Sequence, residues 1–114
     1  MGEAMIPVSR RREILANSIL SSDIRGGEFV DAWKQAMAPH EFYAINPNIR
    51  GLNYSAPKLQ WIRKYQPELY AATDKFLFWG DMVAFMLCGA AVTGHSLANR
   101  SLLFDLRRED WSEP

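Results

Sequence analysis

Lys75-Phe76-Leu77-Phe78-Trp79-Gly80-Asp81-Met82-Val83-Ala84-Phe85-Met86-Leu87-Cys88-Gly89 changes its character once along its length. Lys75–Trp79 is rich in aromatics and lies between Asp74 and Gly80, which predicts a buried strand. Asp81 or Gly80 is placed to cap the helix that follows. Met82–Cys88 is the apolar body of that helix and Gly89 its stop. A strand running into a helix is the repeating step of an α/β chain.

Upstream, Ala4-Met5-Ile6-Pro7-Val8 is a short apolar run. Pro7 cannot donate to a ladder, so an edge strand or a strand end is expected. Ile14–Leu20 is the other arm of a hairpin, with Arg10, Arg11 and Arg12 at a solvated tip. Ser21–Gly27 has the punctuation of a strand end and loop. Glu28–Ala38 reads as an amphipathic helix, with Phe29, Val30, Trp33, Ala36 and Met37 on one face and Pro39 at its end. Glu41–Ile45 is expected to add one more turn, and Asn46–Gly51 a loop. The next helix opens at Ser55 or Ala56 with Pro57 in its first turn, where a missing N–H costs least. Pro67 breaks it and Glu68–Ala72 forms a shorter one. Leu102–Asp105 is expected to be extended. Ser112 reads as a helix N-cap with no helix after it, and the first strand has no lead-in, so both ends are expected to be cut.

The 114 residues suit a single domain, 1–114, able to bury a core with little margin. Thirteen basic and thirteen acidic residues cancel, which argues against a nucleic-acid partner. The single cysteine, Cys88, cannot form an internal disulfide, and is expected to be a small buried hydrophobe in a reducing setting. No apolar run is long enough to cross a membrane, and residues 1–12 lack a signal-peptide core, so a cytoplasmic protein is expected.

Self-contained catalytic signatures are absent: no Walker-type phosphate loop, no GxGxxG and no HExxH. Two widely spaced histidines and one cysteine make no metal site, so His40 and His95 are expected at the surface. Trp33, Trp61, Trp79 and Phe85 are expected in the core. Asp23 and Arg25 follow a strand where it meets a loop, a place where open α/β sheets put ligand contacts. A carboxylate and a guanidinium two residues apart suit a polyol, or else each other.

Several stretches resemble, in order, the FGGY carbohydrate kinases, which phosphorylate sugars with ATP. Gly2-Glu3-Ala4-Met5 resembles a strand end bearing a sugar contact. Asn17-Ser18-Ile19-Leu20-Ser21-Ser22-Asp23-Ile24-Arg25 is similar to the strand of L-xylulose kinases. Ser55-Ala56-Pro57-Lys58-Leu59-Gln60-Trp61, with Gln66-Pro67-Glu68-Leu69-Tyr70, resembles the Ala-Pro-Lys-Leu-x-Trp helix. Asp81 falls at a Lys-Asp-Tyr-Leu position, and Leu87–Trp111 resembles a helix end, Thr loop and Leu-Leu-Phe-Asp segment.

The resemblance implies an α/β fold: part of an actin-like, ribonuclease-H-like N-terminal domain, with helices on a small mixed sheet. It implies Glu3, Asp23, Arg25, Asn53 and Tyr54 as substrate-binding residues, with Asp23 nearer the sugar and Arg25 serving the loop. Ser21 stands where glycerol kinases carry a pocket tryptophan, which argues against glycerol. Gly94 and Leu97 replace acids of the family's Thr loop. The family's phosphate hairpin, catalytic aspartate and ATP-binding domain have no counterpart here. No catalytic or metal residue is therefore expected, ATP and magnesium are implied only for the complete enzyme, and the chain alone is expected to be inactive. The implied partner is a small sugar, a pentulose such as xylulose, with a homo-oligomer or a complementing kinase chain as further expectations. The competing readings are a non-catalytic interaction module and, more weakly, a nucleic-acid binder using Arg10–Arg12, Arg107 and Arg108.

Overall fold

A computed structural model describes residues 3–113; Gly2, in the first resembling stretch, and Pro114 lie outside them. Strand β1 (Met5–Val8) pairs antiparallel with β2 (Lys75–Phe78), Ile6 opposite Leu77. The other side of β1 meets the Ile14–Ile19 segment through bridges at Val8–Ile14 and Met5–Ile19. β1 is therefore not an edge strand. Pro7 still explains the pattern. Its carbonyl accepts from Leu15 N–H at 3.0 Å, but the donor it lacks points to the same side, so isolated bridges replace a full ladder there.

β2 runs directly into helix α5 (Trp79–Cys88). The cap is Phe78, not Gly80 or Asp81. Asp81 sits at the third helical position, where its carboxylate accepts from Phe78 N–H at 3.3 Å. Burial pushes that carboxyl up, against the opposing pull of Thr93 and the Phe78 N–H. Gly89, at φ 74°, ends the helix as expected. Ile6 and Val8 alternate onto one face and meet Leu77 and Met82, with Phe85 and Ala91 packed against them. Burying each large side chain there contributes roughly 1.5–3 kcal/mol.

The outer face of α5 departs from expectation. Trp79, Val83, Met86 and Leu87 are exposed, and so is Cys88, whose thiol donates to the Ala84 carbonyl at 3.1 Å. The helix carries more apolar surface than one small sheet can cover. Trp79 and Cys88 were expected in the core, and this surplus is why they are not.

Helix α1 (Gly27–Ala36) stops before Met37, because the residue preceding Pro39 is driven extended. Its buried residue is Val30; Phe29 and Trp33 are half-buried, and Ala36 and Met37 are exposed rather than inward-facing. Arg50 donates to the Trp33 and Met37 carbonyls at 2.8 and 2.6 Å, closing that end. Helix α2 (Pro39–Ile45) begins at its proline, and Glu41 accepts from Ala38 N–H at 2.9 Å. Helices α3 (Ser55–Tyr65) and α4 (Pro67–Ala72) are divided at Pro67, and α3 packs against α1.

The short helix α6 (His95–Asn99) leads to a small antiparallel pair, β3 (Phe104–Asp105) and β4 (Asp110–Trp111). Ser112 caps no helix among the described residues; its N–H donates to the Leu103 carbonyl at 2.8 Å and prolongs that pairing. His40 and His95 are exposed, as expected.

Candidate functional site

Glu3 enters just ahead of β1 and meets Arg100, the residue that closes α6. Arg100 Nε donates to Glu3 Oε1 at 2.5 Å. The same guanidinium reaches Asn48 Oδ1 at 3.4 Å and Tyr54 Oη at 3.3 Å, and lies 4.5 Å from the Tyr54 ring centroid. The Glu3 carboxylate and the Tyr54 phenol hold the Arg100 proton more firmly than usual. Two of the predicted residues, Glu3 and Tyr54, are thus joined through a third that sequence reasoning did not single out.

Beneath them lies a network of asparagines. Asn46 is fully buried; its amide donates to the Asn99 and Phe104 carbonyls at 3.1 and 2.9 Å. Its Oδ1 accepts from the Asn48 N–H at 3.2 Å and from the Asn48 side chain at 2.7 Å. Asn48 in turn donates to Asn99 Oδ1 at 2.9 Å. The loop that holds Arg100 is therefore tied to α6 and β3 by side chains.

Asp23 and Arg25 close on each other. Arg25 Nε and Nη2 donate to the two carboxylate oxygens at 2.9 and 2.6 Å, and the Arg25 backbone N–H adds a bond of 2.9 Å. The guanidinium also lies 4.9 Å from the Trp61 ring centroid. The pair organises the loop; Oδ1 accepts twice, and Oδ2 keeps a lone pair for another donor. Hydrogen bonding from Arg25 holds the Asp23 carboxyl down, from 3.8 to about 2, although partial burial opposes it. A carboxyl depressed in the folded state adds stability above its unfolded value and loses it as pH falls through the folded one. The stabilisation should therefore be complete above 3.8 and vanish toward about 2. Because the pair is partly exposed, it is worth less than about 1 kcal/mol. Acid unfolding of Asp23→Asn should lack this component; identical acid profiles would refute it.

Asn53 is exposed, on the loop between Leu52 and the half-buried Tyr54. Lys58, four positions into α3, is 2% exposed and points back beneath this loop. Its Nζ donates to the carbonyls of Ser21 at 3.3 Å, Tyr54 at 3.4 Å, and Leu52. Burial lowers its pKa, and Asp23 and Glu3 oppose that from longer range. Sequence reading named Lys58 only within the Ser55–Trp61 stretch and gave it no role. The missed signal was a cation in the first turn, where the helix dipole disfavours it.

The broad hollow lined by Arg10, Arg11, Glu13 and Asp74 lies away from these residues, and its Arg10 is paired with Asp74 at 3.3 Å. Among the described residues no three His, Cys, Asp or Glu side chains gather to hold a cation. The Gly26–Gly27 step opening α1 is no phosphate cradle either, since a Cβ on Gly26 would fall 2.4 Å from the Pro57 carbonyl oxygen.

Comparison with known proteins gives this geometry its setting. Xylulose kinase of Bacillus subtilis is 29% identical over 108 residues, 95% of this chain and 21% of that protein. L-xylulose/3-keto-L-gulonate kinase of Escherichia coli is 25% identical over 105 residues, 92% of this chain and 21% of that one. The crystal structure of xylulose kinase from Rhodospirillum rubrum superposes with a TM-score of 0.88 at 24% identity, covering 96% of this chain and 22% of that one. The chain thus spans about a fifth of the length of these relatives. The fold is α/β, a part of the actin-like, ribonuclease-H-like architecture of sugar kinases. The profile of the FGGY family of carbohydrate kinases, N-terminal domain, matches residues 1–114, and the chain belongs to that family.

Proposed function

We propose that this chain forms one domain-level piece of a sugar kinase, contributing to the binding of a pentulose such as xylulose. The observation that carries it is Glu3, poised on Arg100 beside Tyr54 at the mouth of β1. A carboxylate fixed by a guanidinium, with phenol and amide groups beside it, can accept and donate to sugar hydroxyls. In this reading Asp23 and Asn53 also contact the sugar, and Arg25 holds Asp23 in place. No three His, Cys, Asp or Glu side chains gather among the described residues, and this reading takes ATP and magnesium from elsewhere. Those groups belong to the complete family enzyme. An exposed free thiol supports a reducing, cytoplasmic setting.

Thermal shift with a panel of pentuloses and polyols tests the site. A ligand at about ten times its Kd stabilises by roughly 1.4 kcal/mol, a melting-point rise of several degrees. Glu3→Gln should abolish that rise. No response to any pentulose, or an undiminished one in Glu3→Gln, would remove the sugar from this site.

A second reading, an interaction module on the kinase scaffold, is favoured by the exposed apolar face of α5. A second copy or a complementing kinase chain would cover it, and concentration-dependent association lost in Met86→Glu would support that.

A further inference from the structure

Lys58 is among the most buried side chains of the fold, yet no described carboxylate forms an ion pair with it. Its charge is answered by main-chain oxygens. Those oxygens come from two stretches remote in sequence: Ser21 on one side, Leu52 and Tyr54 on the other. Ser21 stands two residues before Asp23. Leu52 and Tyr54 flank Asn53. An ammonium offers three hydrogens in a fixed tetrahedral arrangement, and here each has one carbonyl to meet. Burying a cation near a helix N-terminus costs stability. What is gained is placement, because one rigid atom on α3 sets where both stretches end.

We propose that Lys58 is a positioning residue for the sugar site, holding the Asp23–Arg25 segment in register with the Asn53–Tyr54 segment. The assignment rests on the sugar-binding function proposed above. It touches no substrate; it acts through the two loops. An apolar side chain of the same length would take the ammonium donor from three partly buried carbonyls, and a neutral amine, with two hydrogens, would take it from one.

That difference makes the role measurable in the unaltered chain. Burial lowers the Lys58 pKa, so its proton is lost below 10.5. The charged groups facing it are Asp23, Glu3 and Arg25; the Asp23–Arg25 pair holds the Asp23 carboxyl down and the Arg25 proton on. The Tyr54 carbonyl, which sits beside an ionisable phenol, is set aside and Tyr54→Phe serves as a control. In a uniformly 13C,15N-labelled chain, the Lys58 Cε and the Ser21 and Leu52 carbonyl carbons should share one midpoint below 10.5. Xylulose affinity, followed by chemical-shift titration on either side of that midpoint, should fall about tenfold above it. Lys58→Met should show a comparable loss at neutral pH with its β1–β2 amides still protected. If Lys58→Met does not fold, the wild-type titration decides alone.

Carbonyls that ignore the Lys58 titration would overturn the proposal. So would carbonyls that follow it while xylulose binds equally well above and below the midpoint; that result leaves the sugar site standing. Absence of xylulose binding at every pH would remove the sugar site itself, and the positioning role with it, leaving Lys58 a structural tie between loops.

Discussion

Gly26→Ala should destabilise the fold by about 3 kcal/mol or more, lowering the melting temperature by about 10 °C or more. Gly26 caps α1 at φ 91°, in the left-handed region. An L side chain there costs about 1–2 kcal/mol before any contact is counted. The new Cβ would also sit 2.4 Å from the Pro57 carbonyl oxygen and 2.7 Å from its carbon. Both are backbone atoms within α3, so neither can swing aside. Relief requires α1 to back away from α3, uncovering Val30 and shifting the turn that carries Lys58. Gly27→Ala is the control. Its Cβ would meet only Leu52 Cδ2 at 3.8 Å, an ordinary contact, and alanine suits the first turn of a helix. Thermal unfolding of the two variants should differ sharply; equal melting temperatures would show that the close approach of α1 to α3 does not exist.

Asn46→Asp should cost about 3 kcal/mol at neutral pH, although it changes volume hardly at all. The Asn46 amide nitrogen serves the Asn99 and Phe104 carbonyls in a fully buried position. An ionised carboxylate would place oxygen against both carbonyls and remove their donor. Protonation restores one donor, so the loss relative to wild type should shrink under acid conditions. Chemical denaturation of both proteins at neutral and acid pH reads this directly. A penalty independent of pH would mean that packing, not hydrogen bonding, fixes Asn46.

What could be read from the sequence was mostly punctuation and order. Pro39, Pro57 and Pro67 each stand in the first turn of a helix, because a residue with fixed φ and no N–H is tolerated there and not further in. Gly89 stops α5 for an equally local reason. The side on which Pro7 lacks its donor is a tertiary matter; of the two expectations, an edge strand or a strand end, the second fits, since Pro7 is the last residue but one of β1. Apolar composition could not reveal that α5 has two apolar faces and a cover for only one, hence the expectation of buried Trp79 and Cys88. The candidate site divides similarly. Glu3 and Tyr54 were named from resemblance, whereas the cations that set them were not. Arg100 and Lys58 draw partners from segments far apart in the chain, and the asparagines of the 46–48 loop looked like turn residues. Their roles depend on which carbonyls come close, and no spacing rule encodes that.

The bond between Glu3 and Arg100 joins positions 97 residues apart. Contacts of such separation form after local ones, because loop closure must be bought before it is rewarded. Helices α1 to α5 can gain structure from near neighbours while the chain is still being made. The rim of the site cannot, since its first carboxylate waits for an arginine that emerges 97 residues later. A chain halted anywhere before α6 would hold a recognisable scaffold and no assembled rim, and a refolding chain should recover its helical signal before the Tyr54 ring meets its guanidinium.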